Sequence, residues 1–200
     1  FFSKFLDGFS QGLGIDLGTA NTLVGVAGKG IVLREPSIVC RHRKTKSIIA
    51  VGRAAKKMLG RVPATIEVLR PLKDGVIADY DLTSAMLAYF IDRVNQNFSK
   101  RIMFLGSRAV IGVPSNVSRV ERRAVITAAR NCGVRTAYLL EEPMAAAIGA
   151  GLPVTEAVGS MIVNIGGGTC EIAIISLGGV VAGRSLKIAG DNMDEDIIGY

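Results

Sequence analysis

From Leu13 onward apolar and polar positions alternate with period two, and glycines cut the run into GIDLG, NTLVGVAG and GIVLREPSIVC. That pattern predicts three consecutive strands. A further strand, SIIAVG, and a helix over 53–59 follow. RPLKDGVIADYD shows neither period and is expected to be a loop. Leu82, Met86, Tyr89, Phe90 and Val94 then form a helical stripe. RAVIGVPSN reads as a strand ending at Pro114. VSRVERRAVITAARNCG reads as a helix with Ser115 or Ser118 as N-cap and Gly133 at its end. AYLLEEP is a strand ending in two glutamates, and Pro143 opens the helix PMAAAIGAGLP. MIVNIGGGTCEIAII is a second glycine hairpin, after which GGVVAGRSLKIAG leads to an acidic helix start, GDNMDED. A hairpin, alternating helices and strands, then a second hairpin describe two α/β halves of similar plan.

Ahead of this pattern, Phe1, Phe2, Phe5, Leu6 and Phe9 recur at helical spacing. A segment so rich in phenylalanine is expected to lie in a membrane interface, against the alternative of an arm packed on its own domain. The order of a secretory leader is absent. The chain begins at Phe1 and stops at Tyr200 within the acidic helix, so it is expected to be a piece of a longer protein.

The 24 glycines and a 49% hydrophobic share fit a glycine-punctuated globular α/β chain rather than a disordered one. A net charge of +7 raises nucleic acid as a partner. The basic residues look dispersed apart from Arg41-His42-Arg43-Lys44-Thr45-Lys46, and few aromatics accompany that cluster. A solvated hairpin tip is the expectation, with no nucleic acid bound. Cys40, Cys132 and Cys170 lack CxxC spacing and suit a reducing cytoplasm, and a lone His42 argues against a zinc site or a Ser-His-Asp triad.

The chemistry lies in the two hairpins. Each glycine turn exposes backbone N–H groups that attract phosphate oxygens without a charged side chain. Each follows a polar residue set in an apolar strand, Asp16 in the first and Asn164 in the second. Such residues are costly to bury unless something polar faces them. A phosphate chain with its Mg²⁺, held between two domains, would satisfy both. No GxxxxGK[ST] sequence is present, and GGGTCEI runs into a strand rather than a helix, so P-loop and dinucleotide-fold readings fail.

DLGTANT, EEPMAAAIGAGL, NIGGGTCEIAIIS and GDNMDED, in that order, resemble the actin-like ATPases. Among these, GKGIVLREPS, RPLKDGVIADY and VIGVPSNVSRVERRAV are similar to the MreB family of bacterial cell-shape filaments. The resemblance runs from Leu13 to Tyr200. It implies an α/β actin-like ATPase fold with ribonuclease H-like halves, present here as the N-terminal part only. The implied divisions are an amphipathic segment over 1–12, a first large subdomain over 13–38 and 74–155, a small appendage over 39–73, and the start of a second half over 156–200. The adenine pocket would come from later segments.

The resemblance also implies ATP and Mg²⁺ as ligands. Asp16 would hold the hydrated metal, with Asn164 acting on it through water. Gly18, Thr19, Ala20, Asn21 and Thr22 would meet the phosphates from one side, and Gly166, Gly167, Gly168 and Thr169 from the other, with Gly190 near them. Glu142, with Asp16, would carry catalysis by orienting the attacking water. Glu141 is the neighbouring alternative for this role, and strand alternation would send the two side chains to opposite faces. The implied partners are copies of the chain in head-to-tail filaments, the inner face of the cytoplasmic membrane, and membrane proteins of cell-wall synthesis. Asn164 departs from the family, which has Asp at this place. Losing that charge is expected to weaken Mg²⁺ binding and slow hydrolysis. The alternatives are a nucleotide-binding polymerising scaffold with little or no hydrolysis, and a chaperone or kinase of the same fold.

Overall fold

The computed structural model describes residues 12–98 and 107–200. The phenylalanine segment, with Phe1, Phe2, Phe5, Leu6 and Phe9, lies outside the described residues. No helix among the described residues is long and apolar enough to cross a membrane.

The first sheet has five strands, β1 (Gly12–Leu17), β2 (Asn21–Val26), β3 (Gly30–Pro36), β9 (Ser107–Val113) and β10 (Val134–Glu141), in the order β10-β9-β1-β2-β3. β1 pairs antiparallel with β2 and parallel with β9. Alternation sends Leu13, Ile15 and Leu17 of β1 to one face, where they are buried with Ile111 and Val113 of β9. Helices α2 (Tyr80–Phe98) and α3 (Arg119–Asn131) cover that face. The buried stripe of α2 is Leu82, Met86, Leu87, Phe90, Ile91 and Val94. Tyr89, expected in the stripe, is 41% exposed because it lies on the flank of the 82-86-90-94 row.

α3 starts where sequence placed it, and Ser118 rather than Ser115 is the cap. Its hydroxyl accepts from the Glu121 amide, while Glu121 accepts from the Ser118 amide at 2.7 Å. This reciprocal box satisfies two otherwise orphaned donors. Ser118→Ala is therefore expected to cost about 1 kcal/mol of stability in chemical denaturation.

Pro36 ends β3 because it offers no N–H to a ladder. GIVLREPSIVC is thus not one strand: β4 (Val39–His42) leaves for another sheet, ordered β5-β4-β6 with β5 (Ile48–Val51) and β6 (Ile66–Leu69). α1 (Arg53–Met58) packs Ala55 on it beside Ile38 and Cys40. Glu35, buried, accepts from the Arg53 amide and from Arg93. A Cβ on Gly52, at φ 67°, would lie 2.7 Å from the Glu35 carboxylate, so the α1 start requires glycine.

The basic tip is not simply solvated. Arg41, Arg43 and Lys46 converge on Glu67, and Arg41 also reaches Asp79. These partners hold the Glu67 carboxyl below its ordinary range, the Arg41 hydrogen bond contributing most. Nor is positive charge dispersed. Residues 39–73 hold ten Lys and Arg against one Glu, a net of +9 where the whole chain carries +7.

The expected loop holds a ribbon of β7 (Leu72–Lys73) and β8 (Val76–Ile77). Its turn residues Asp74 and Gly75 have φ 52° and 76°, the consecutive left-handed pair of a tight hairpin.

β10 runs into α4 (Glu142–Gly149), with Pro143 in its first turn. Met144 and Ala147 of α4 bury against Ala173 and Ile175 of the second sheet. That sheet is antiparallel, β11 (Ser160–Ile165), β12 (Cys170–Ser176) and β13 (Gly179–Leu186), followed by α5 (Gly190–Gly199). Met161, Val163 and Ile165 of β11 are exposed.

A cleft between two glycine hairpins

The β1–β2 and β11–β12 turns meet tip to tip. A Cβ on Gly167 would lie 2.7 Å from the Ala20 Cβ, and one on Gly168 would lie 2.9 Å from the Thr19 hydroxyl. The absent side chains therefore let two backbones approach. The ribbon tip wedges beside them: the Gly75 amide donates to the Thr19 hydroxyl at 3.0 Å, and a Cβ there would lie 3.0 Å from Thr169 Cγ2.

Both turns have their carbonyls tied down by a neighbouring segment. Ser37 donates its hydroxyl to the Gly18 carbonyl at 2.6 Å and its amide to the Ala20 carbonyl at 3.0 Å. Gly190 and Asp191, at the start of α5, donate amides to the Gly166 and Gly167 carbonyls at 3.0 and 2.8 Å. With two carbonyls of each turn bonded in this way, the turn N–H groups weigh more in what is left over, which suits an anion.

A cavity of about 390 Å³ opens between the turns, in the size range of small-molecule sites. Asp16, Gly18, Thr19, Ala20, Asn21, Glu142, Asn164, Gly166, Gly167, Gly168 and Thr169 all line it. Thr22 and Gly190 do not. The Thr22 hydroxyl is buried against Ser37 at 2.9 Å, and the Gly190 amide is spent on Gly166.

Glu142 and Glu141 diverge as strand alternation predicts. Glu142 accepts a hydrogen bond from Asn164 Nδ2 at 3.3 Å, whereas Glu141 approaches Arg122 at 3.7 Å. Burial first, then the charges of Asp16 and Glu171, push the Glu142 pKa from 4.5 to about 8. Burial also raises that of Asp16.

Sequence reasoning missed four participants. Ser37 was read as part of a strand, and its role is set by contacts far away in the chain. The Asp74-Gly75 turn was legible as a hairpin dipeptide. Arg34 lines the cavity mouth, flanked in β3 by buried Leu33 and Glu35, so alternation alone marks it as outward. Glu171 is 1% exposed and pairs across the strands with Asn164. One of its oxygens accepts from the Ser115 amide at 3.0 Å, joining the second sheet to the end of β9. Among the described residues neither its other oxygen nor the hydroxyl of its cross-strand neighbour Ser185 makes a well-formed hydrogen bond. Burial raises the Glu171 pKa, and the Ser115 amide and the nearby Ser185 hydroxyl oppose that rise.

Among the described residues, no group of three His, Cys, Asp or Glu could cage a metal. Asp16 beside a cradle for phosphate nonetheless fits a hydrated Mg²⁺, which takes one or two carboxylates and leaves its other positions to water and phosphate. Asp191 contacts Arg70 at 2.5 Å rather than joining a cluster with Asp194, Glu195 and Asp196.

Two sheets, each presenting a glycine hairpin to a shared cleft, define an actin-like fold. Spiroplasma citri MreB5 has it, bound to AMPPNP or to ADP. Those structures match this chain with TM-scores of 0.86 and 0.85 at 38% identity, over 96% of this chain and 56% of theirs. The MamK double helical filament, at 24% identity, shares the fold with a TM-score of 0.76 over 95% of this chain and 58% of its own. The MreB/Mbl protein family model matches residues 10–200, and the chain belongs to that family. It is 54% identical over 201 residues to the Escherichia coli (strain K12) cell shape-determining protein MreB, covering 98% of this chain and 57% of that protein. The chain therefore spans little more than half the length of such relatives.

Proposed function

We propose that this chain is the nucleotide-binding part of a filament-forming, cell shape-determining protein that binds ATP with Mg²⁺ and hydrolyses it slowly. The observation that carries the reading is the meeting of Asp16, Glu142 and Asn164 on one cavity wall between two glycine turns. The ADP and AMPPNP held by MreB5 support it.

Bound Mg²⁺ supplies charge neutralisation at the phosphates. The chain's own residues do the rest. The turn amides would seat the phosphate oxygens, and Asp16 would hold the hydrated metal beside them. Glu142 acts as general base, taking a proton from the attacking water. It must first lose its own, and with a pKa of about 8 the unliganded site is mostly protonated at neutral pH. Asn164 fixes the Glu142 carboxylate by its amide.

Nucleotide-driven closure would favour head-to-tail contacts between copies. The location that fits this reading is the inner face of the cytoplasmic membrane, alongside membrane proteins of cell-wall synthesis. The phenylalanine segment over 1–12 supports apolar burial in a membrane interface, and the net +9 of the appendage over 39–73 supports attraction to an anionic surface.

Full-length protein should pellet with ATP and release phosphate slowly. Pelleting with no phosphate release would favour the second reading, a polymerising scaffold, which the Asn164–Glu142 bond also supports. Failure to bind nucleotide at all would refute both. Capture by phosphatidylserine vesicles is expected to weaken as salt is raised, and salt-independent capture would remove the electrostatic part of the membrane reading.

A further inference from the structure

The polar floor of the cleft has an uneven charge arrangement. Asn164 Nδ2 donates to Glu142 Oε2 at 3.3 Å, tying the start of the second hairpin to the first turn of α4. Asn164 presents its amide nitrogen to the carboxyl, the arrangement that an ionised Glu142 favours because the amide oxygen would be repelled there. A carboxylate at position 164 would set two acids at that distance, and only a shared proton or a cation could hold them together. Asparagine makes the contact by itself.

At the mouth, Arg34 lines the same cavity, and its guanidinium has no hydrogen-bond or ion-pair partner among the described residues. A free guanidinium suits phosphate oxygens. The two glycine turns, with the Gly18, Ala20, Gly166 and Gly167 carbonyls already bonded, add backbone N–H groups to the lining of the same cavity. Positive potential for a polyphosphate thus comes from the protein as well as from any metal that accompanies it.

We propose that this cleft binds nucleoside polyphosphate with little dependence on a divalent cation, and that Asn164 is the residue that sets this property, with Arg34 supplying compensating charge. The proposal rests on the nucleotide-binding reading above. It differs from slow hydrolysis, because it concerns affinity in the absence of metal rather than turnover.

The test is calorimetric titration of the full-length protein with AMPPNP, in Mg²⁺ and in EDTA. Native protein is expected to show less than about a threefold difference in Kd between the two, and Asn164→Asp about tenfold or more, the size of a 1.4 kcal/mol change. A native difference as large as the variant's overturns the proposal. Should Asn164→Asp fail to fold, judged by thermal melting, Arg34→Ala decides. A larger affinity loss in EDTA than in Mg²⁺ supports the inference, and an equal loss in both overturns it. Absence of AMPPNP binding by native protein in either condition would instead sink the nucleotide-binding reading itself.

Discussion

Glu142→Gln is expected to lower ATP turnover by about 10²–10⁴-fold, the usual contribution of a positioned general base, with AMPPNP affinity changed far less. The amide keeps the shape and can still bond Asn164 after rotating, but it cannot accept the water's proton. Wild-type turnover in this variant would remove Glu142 from the mechanism. For the native protein kcat/KM for ATP, which reports the unliganded site, should rise with pH toward the Glu142 pKa of about 8, because the active form is the ionised one.

The same carboxyl makes a linked prediction for stability. Burial makes its ionised form the costly one, so the folded nucleotide-free protein keeps this proton where the unfolded chain has lost it. Stability should fall as pH rises from about 4.5 to about 8 and level off above, since the folded state binds the extra proton only between those values. Glu142→Gln should flatten that slope, leaving the variant more stable than native at alkaline pH by roughly 2–4 kcal/mol. Chemical denaturation of both proteins below pH 5 and above pH 8 measures this. Parallel pH profiles would mean that the carboxyl is better solvated than its position between Asp16 and Glu171 implies.

The second large effect belongs to Gly167. Its Cβ would lie 2.7 Å from the Ala20 Cβ and 3.3 Å from the Ala20 backbone nitrogen. Gly167→Val must push the hairpin tips apart. Overpacking of this kind costs about 1–3 kcal/mol, which here would fall on the closed cleft. AMPPNP affinity is expected to drop by about 5–150-fold. Each sheet keeps its own ladder and core, so the circular dichroism spectrum should stay native. Unchanged affinity would show that the nucleotide does not need the tips in contact.

Much of this was legible before any coordinates. Both hairpins, the Glu141-Glu142 strand end and the α3 cap carry local signals: glycine turns, alternation, and Ser three residues ahead of Glu. What escaped notice was non-local or too short. β7 and β8 have two residues each, below the length at which period two can be seen, although Asp74-Gly75 named the turn. Ser37 matters because of carbonyls it meets at Gly18 and Ala20, and nothing beside it in the chain says so. Pro36 marked the break between β3 and β4, yet the apolar run across it read as continuous. The charge of residues 39–73 forms few runs, and it is legible only as a sum over the segment, ten Lys and Arg against one Glu. Glu171 looked like an ordinary strand residue, because burial of a carboxylate depends on what the second sheet packs against.

Besides the Asn164–Glu142 bond, two further polar contacts bridge the cleft, and their unequal strength has a mechanical meaning. The Glu171 carboxylate, itself buried, accepts from the half-buried Ser115 amide. At the rim, Arg70 meets Asp191 with about half of the arginine side chain in solvent, and such pairs contribute little. One contact behaves as a hinge pin and the other as a loose clasp. The molecule should therefore gape from the rim like a shell, pivoting about Ser115. The ribbon tip, bonded to Thr19, would travel with the first half and leave the second turn behind.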